Sequence, residues 1–161
     1  MKIWIYRMIT GILLAGWMTV IFLFSAQPAA ASGKISGTIA YRMVETADRM
    51  LHLELEETQM ERFAEKIDHP LRKCAHMTEY AVMSWLCCFF LAGYLGFCRR
   101  SYWLSLGITA FYAATDEMHQ LVVPGRSGQF GDVCIDTVGA ALGLLALYLC
   151  RKLVMHLSKK K

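Results

Sequence analysis

The sequence predicts an all-α integral membrane protein with four transmembrane helices and a helical outer loop between the first and the second. Hydrophobic residues make up 56% of its 161 residues, and the mean hydropathy of +0.37 is high for a soluble domain. The basic residues lie at the ends of apolar segments, as membrane topology requires. The net charge of +4 is too small to indicate a nucleic-acid partner, so membrane lipids are the expected surroundings.

Hydropathy divides this single domain, residues 1–161, into predicted spans at about 5–25, 73–97, 101–123 and 132–150, with an outer loop at 26–72. A helix needs about 20 residues to cross the hydrocarbon. The third span is unusual, because its apolar run stops at Asp116 and resumes only at Leu121. If this helix reaches residue 123, Asp116 lies inside it, roughly 22 Å from its inner end.

The short basic segments predict that both termini are cytoplasmic, in a multi-pass protein of the cell membrane. These segments contain Lys2, Arg7, Arg99, Arg100, Arg151, Lys152, Lys159, Lys160 and Lys161. The outer loop also has basic residues, but at low density and among many acids. An alternative for the N-terminus is a cleaved signal peptide, since "PAAAS" resembles a cleavage site. The long apolar core favours a retained helix.

The outer loop is predicted to be helical, because apolar residues recur in it at helical spacing. They are Met43, Ala47, Met50 and Leu51, followed by Met60, Phe63, Ala64 and Ile67. One or two amphipathic helices could lie on the outer membrane surface or cap the bundle. A solvated helical loop is the alternative.

The six cysteines show no C-x-x-C pair and no zinc spacing. We expect them to be small buried hydrophobic residues. A disulfide between Cys74 and Cys134 remains an open alternative.

The last three predicted spans carry polar residues at one level, in the outer third of the bilayer. They are Lys73, His76, Glu79 and Tyr80, then Asp116, Glu117, His119 and Gln120, then Asp132 and Asp136. At about 100° per residue, Asp116, His119 and Gln120 share a face, whereas Glu117 points about 100° away. Gly139 and Gly143 let another helix backbone approach closely.

The connector before the fourth span holds Arg126 in a tight turn, which we expect to lie beside several carboxylates. Ionisable groups at this depth must pair, take up protons or bind a ligand. The residues therefore predict a polar pocket that opens outward. The alternative is an internal ion-pair network that only sets helix packing.

A divalent metal is another alternative, because two His–carboxylate pairs have i, i+3 spacing. The pairs are His76 with Glu79 and Asp116 with His119. Such mixed ligands suit Zn or Mn better than Ca. Lys73 and Arg126 would repel a metal, so we assign none to the pocket and expect no cofactor.

Two segments resemble the VanZ-like membrane proteins: "RKCAHMTEYAVM" and "TDEMHQLVVPGRSGQFGDVCIDTVGAALG". "FSAQPA" after the first span also resembles the family. The similarity covers roughly residues 71–147 closely and the first span loosely. It implies a bacterial four-helix protein of the cell envelope, in a family whose founding member confers low-level teicoplanin resistance. No catalytic residues come with the resemblance, so the catalytic residues stay unknown.

The residues leave two functions open. In the first, the pocket binds a lipid head group, a lipid-linked cell-wall precursor or a glycopeptide, with Lys73 and Arg126 on its phosphate or carboxylate. In the second, the protein is a membrane-embedded hydrolase or transferase acting on a lipid-linked substrate. His76 or His119 would then be the general base. A proton-coupled transporter is disfavoured by the small size of the chain.

Overall fold

The computed structural model describes residues 2–159, which form five α-helices. They are α1 (Ile3–Ser25), α2 (Ala29–Leu51), α3 (Glu57–Leu95), α4 (Arg99–Gln120) and α5 (Phe130–Ser158). Lys160 and Lys161 of the basic C-terminal segment lie outside the described residues. The first, third and fifth helices are long and apolar enough to cross a membrane, so the chain has the character of a multi-pass membrane protein.

Local signals explain several of the helix ends. Pro28 directly precedes α2, where its missing N–H is no loss because the first helical N–H groups have no partner. Glu56 and Gln59 form a reciprocal capping box at the start of α3. Gly96 follows α3 with a φ of 71°, a backbone conformation that favours glycine. The chain therefore turns sharply into α4.

The first helix runs antiparallel to α3. Near the start of α1, the Tyr6 hydroxyl donates a hydrogen bond to the Phe89 carbonyl at 2.9 Å. Near its end, the Trp17 indole N–H donates to the Glu79 carbonyl at 2.9 Å. Increasing residue numbers in α1 thus meet decreasing numbers in α3.

The third and fifth helices run parallel to each other. Lys73 forms an ion pair with Asp132 in the first turn of α5, and the Arg151 guanidinium lies 3.5 Å from the centroid of the Phe97 ring. Because α4 joins the end of α3 to the start of α5, it runs antiparallel to both. We call the end of the bundle at Arg7, Phe97 and Arg151 the basic end, and the opposite end the polar end.

The closest helix contact is made by glycines of α5 against the backbone of α3. Gly139 faces the backbone of Met77, and a Cβ atom at Gly143 would lie 2.9 Å from the Ala81 Cα. Small residues allow helix backbones to approach in this way. The contact holds the first turns of α5, with their two acids, against α3.

The fourth helix buries a face of small and polar side chains. Ser101, Ser105, Thr109 and Ala113 are all fully buried at intervals of four residues, so this face packs against neighbouring helices. A core of Ile21, Tyr80, Met83, Ala113 and Ala140 lies between the helices. The polar residues of α4 lower its hydropathy, and α4 is not among the helices that are apolar enough by composition to cross a membrane.

The predicted outer loop differs from the structure in one respect. Its second amphipathic stretch is not a separate helix, because α3 begins at Glu57 and continues through Pro70 into the apolar segment. The helix α2 packs on this first part of α3, with Ala40 and Ala64 buried. Residues 29–72 therefore form a helical hairpin, which we call the α2 hairpin.

The cysteines do not behave as one class. Cys87 and Cys88 are buried, whereas Cys74, Cys98, Cys134 and Cys150 are exposed on the bundle surface. All six are free thiols, so the suggested disulfide between Cys74 and Cys134 is absent. The expectation of small buried residues is correct for the first two and wrong for the other four.

Candidate functional site

A cleft of about 480 Å³ lies at the polar end of the bundle, between α2, α3 and the connector that precedes α5. We call it the α2 cleft. Its apolar lining includes Phe24, Ile35, Ile39 and Leu71. Its polar lining includes Arg72, Lys73, His76, Glu79, Gln120, Arg126, Gln129 and Asp132. The cleft is thus amphipathic, as ligand sites with a few convergent polar groups are.

The eleven polar residues of the predicted pocket divide between the cleft and the helix interior. Six line the cleft: Lys73, His76, Glu79, Gln120, Arg126 and Asp132. Four others are buried between the helices: Tyr80, Asp116, Glu117 and Asp136. The remaining one, His119, is partly exposed and packs on α1.

Two ion pairs lie in the polar lining. Lys73 and Asp132 are paired, with side chains 26% and 27% exposed. The negative charge of Asp132 in the first turn of α5 also interacts favourably with the helix dipole. The second pair is His76 Nδ1 with Glu79 Oε2, at 3.5 Å and one turn apart on α3. The pair of Lys73 with Asp132 leaves little net charge in its part of the cleft. The pair of His76 with Glu79 does the same when the histidine is protonated.

Arg126 has different partners from those we expected. Its Nε donates to the Gln27 carbonyl at 2.9 Å, and its Nη2 donates to the Phe24 carbonyl at 3.1 Å. Its Nη1 donates to Gln120 Oε1 at 3.3 Å. Within residues 2–159, no carboxylate oxygen lies within 4.0 Å of this guanidinium. The expected position beside several carboxylates is therefore wrong.

The connector explains this position of Arg126. The Ala29 N–H at the start of α2 donates to the Pro124 carbonyl at 3.3 Å. Gly125 has a φ of 76°, and a Cβ atom there would lie 3.2 Å from the Ala29 Cβ, so the turn packs directly on α2. The guanidinium then reaches the Phe24 carbonyl in the last turn of α1 and the Gln27 carbonyl just beyond the helix, where the helix dipole favours a cation.

The two acids of α4 share one hydrogen-bond donor. Gln120 Nε2 donates to Asp116 Oδ2 and to Glu117 Oε1, both at 3.1 Å. Glu117 Oε2 also accepts the Gln129 N–H at 2.9 Å, and the side chain is only 7% exposed. The direction of Glu117 on α4 is about 100° from that of Asp116, but Gln120 and the backbone of the connector hold its carboxylate inside.

The interior beneath the cleft contains two polar atoms without a partner. Asp116 Oδ1 and the Tyr80 hydroxyl are buried and make no hydrogen bond to the described residues. Asp136 of α5 is also buried, at 2% exposure. Gln120 links this interior to the cleft, since its oxygen accepts from Arg126 and its nitrogen donates to the acids.

His119 does not join the acids. Its ring packs against Phe22 of α1, with the ring centroids 4.6 Å apart, and within residues 2–159 Gln120, not His119, is the side chain that binds Asp116. In the part of the chain that the structure describes, no three His, Cys, Asp or Glu side chains group as metal ligands would. The His–carboxylate spacings therefore do not converge on one metal centre here.

Several lining residues escaped the sequence analysis. They are Ser32, Ile35, Ser36 and Ile39 of α2, together with Arg72 and Gln129. A signal existed for part of this set, because Ile35, Ile39 and Met43 recur at intervals of four residues. Nothing local indicated that α2 would fold back beside Lys73 and His76.

Comparison with known proteins identifies the family. Residues 10–151 match the VanZ/LLP1 family model, which is most of the chain. No curated protein and no solved structure matches. The matched range includes α4, the connector and the cleft residues of α3 and α5. The chain belongs to the VanZ/LLP1 family.

Proposed function

We propose that this protein is a four-span membrane protein of the bacterial cell envelope whose outward-facing α2 cleft binds an anionic amphiphile, such as a lipid-linked cell-wall precursor. Arg126 carries this proposal. It lines the cleft and donates to three uncharged oxygens. A guanidinium has five N–H groups, so two remain for the phosphate or carboxylate of a ligand.

The parallel arrangement of α3 and α5 supports the proposal that α4 also crosses the membrane. The fourth helix has 22 residues, which gives a length of about 33 Å, close to the hydrocarbon thickness of about 30 Å. Its exposed side is apolar, with Trp103, Ile108 and Phe111, whereas its serines and acids face other helices. A helix of this length that joins the opposite ends of two parallel spans crosses the same layer.

The distribution of charge supports the orientation. Arg7, Arg100 and Arg151 belong to the basic end, and short basic segments are retained in the cytoplasm. The polar end and its cleft then face outward.

Reporter fusions test both the crossing and the orientation. We expect a fluorescent-protein fusion after Arg100 to be fluorescent, and an alkaline phosphatase fusion after Gly125 to be active. The paired fusions, with phosphatase after Arg100 and fluorescent protein after Gly125, are the controls and should be silent. Equal signals at both sites would show that α4 does not cross, and the reversed pattern would place the cleft inside.

Ligand binding tests the role of Arg126. We expect Arg126→Gln to weaken the binding of octyl phosphate to purified protein at least about tenfold, because a hydrogen bond to a charged group contributes about 1.5–3 kcal/mol. Arg126→Lys, which keeps the charge, should lose less. Arg42→Gln is the matched control, since Arg42 is 74% exposed on α2 outside the cleft. Equal affinities of the unmodified protein and the Arg126→Gln variant for octyl phosphate would contradict the proposal.

The family relationship motivates a resistance test. The host is one whose teicoplanin susceptibility differs with and without this protein. In that host we expect Glu79→Gln and Arg126→Gln to abolish the difference in susceptibility while the protein level stays near normal. The measurement pairs the minimum inhibitory concentration with immunoblotting of membranes. A fall of protein level in step with resistance would instead favour a polar network that only holds the helices together.

A second function, a hydrolase or transferase acting on a lipid-linked envelope substrate, is favoured by one observation. His76 and Glu79 form a pair and both line the cleft, which is the arrangement of a general base and the group that orients it. Release of the head group from a bound lipid phosphate, lost in His76→Gln, would favour this function over simple binding.

A further inference from the structure

The helix α2 has two apolar faces, and only one of them is covered by α3. Ser36 and Ala40 lie on the covered face, with exposures of 9% and 0%. Ile35, Ile39 and Met43 form a second stripe, with exposures of 55%, 49% and 50%. Side chains four residues apart on a helix lie above one another, so these three form a continuous apolar surface.

Part of this stripe belongs to the α2 cleft. Ile35 and Ile39 line it, whereas Met43, one turn farther along, does not. Phe24 of α1 also lines it and is 50% exposed. The cleft therefore continues the exposed apolar surface of the last turn of α1 onto α2.

The anion-binding and apolar parts of the cleft meet at a single residue. The Phe24 carbonyl accepts a hydrogen bond from Arg126 Nη2 at 3.1 Å, and the same residue contributes to the apolar lining. When the anionic group of a ligand is bound to Arg126, the rest of the ligand therefore lies next to Phe24, Ile35 and Ile39. A soluble, fully polar ligand would leave these side chains in contact with water.

We infer that the hydrocarbon chain of the ligand lies against Phe24, Ile35 and Ile39, and that the ligand enters sideways from the membrane, between the end of α1 and α2. This inference rests on the proposed function, because it takes the anionic group to be held by Arg126. It assigns a specificity role to α2: the helix selects amphiphiles over soluble anions of the same head-group charge. Only three residues, Ala26 to Pro28, separate α1 from α2, so this part of α2 lies close to the membrane surface.

Chain-length dependence tests the inference with protein in zwitterionic nanodiscs. The probes are inorganic phosphate and butyl, hexyl and octyl phosphate, all used below their micelle-forming concentrations. We expect affinity to rise about two- to fourfold for each added methylene, because burial of a methylene contributes up to about fourfold. In the double variant Ile35→Ser, Ile39→Ser this rise should nearly disappear, while affinity for inorganic phosphate stays unchanged.

Met43→Ser is the matched control, because Met43 belongs to the same stripe with similar exposure but lies outside the cleft lining. It should retain the full chain-length dependence. Equal melting temperatures would show that the variants fold alike, as expected for half-exposed side chains. The inference is overturned if the chain-length dependence persists in the double variant or is absent from the unmodified protein. In either case, phosphate binding that still depends on Arg126 leaves the proposed function standing. Phosphate probes that do not bind, or that bind equally to Arg126→Gln, overturn the proposed function and the inference together.

Discussion

Gly139→Leu is expected to remove most of the folded protein. A Cβ atom at position 139 would collide with the backbone of Met77, and backbone atoms of a packed helix cannot move aside as a flexible side chain can. Overpacking of a filled interior costs about 1–3 kcal/mol and sometimes more, and this contact lies at the upper end. Size-exclusion chromatography and thermal melting in detergent measure the effect.

Gly107→Leu is the control for this substitution. Gly107 lies inside α4, and apart from its own turns of the helix no atom of residues 2–159 lies within 4 Å of the position that a Cβ would occupy. Leucine also favours the helix over glycine, by roughly 0.8 kcal/mol, so this variant should melt at the same temperature or higher. If Gly139→Leu melts like Gly107→Leu, α5 does not pack on α3 through its glycines.

The second large effect is expected at the pair of Lys73 and Asp132. Each side chain is about three-quarters buried, at 26% and 27% exposure, so Lys73→Met leaves a carboxylate with no counter-charge. Breaking a fully buried pair costs about 3–5 kcal/mol. Partial exposure reduces this to about 1–3 kcal/mol. Asp132→Asn should also destabilise, since the lysine loses its partner.

The double variant Lys73→Met, Asp132→Asn identifies the interaction. It should be more stable than the sum of the single losses predicts, by about 1 kcal/mol or more, because no unpaired charge remains. The pair of Arg49 with Glu45, where the arginine is 75% and the glutamate 25% exposed, is the control and should show less than about 0.5 kcal/mol of coupling, because the arginine is largely solvated. Strictly additive losses at Lys73 and Asp132 would mean that the two charges do not stabilise the fold through each other.

Much of the architecture was predictable because the relevant properties are local. Long apolar segments correspond to α1, α3 and α5, and the motifs around His76 and Arg126 correctly indicated the family. The helical character of the outer loop also followed from its spacing. Each of these properties depends on residues within a few turns of one another, and the sequence displays them directly.

The bounds of the helices were less predictable. The second span was expected to begin near residue 73, whereas α3 begins at Glu57. The helix passes through Pro70, and the packing of α2 on the preceding segment stabilises that segment. Hydropathy detects where a helix enters hydrocarbon and is insensitive to where the helix itself begins.

The sequence by itself determined the membrane-protein class, the family and the identities of the polar residues that α3, α4 and α5 carry. Only the tertiary structure decided their partners: Arg126 binds the Phe24 carbonyl of α1 and the Gln27 carbonyl just beyond it, Glu117 accepts a backbone N–H from the connector, and His119 packs on Phe22. It also decided that α2 supplies the apolar side of the cleft. The physical reason is that helical periodicity gives only the direction in which a Cβ points. The position of a long side chain depends on which donors, acceptors and rings neighbouring helices bring within its reach, and those neighbours are distant in the sequence.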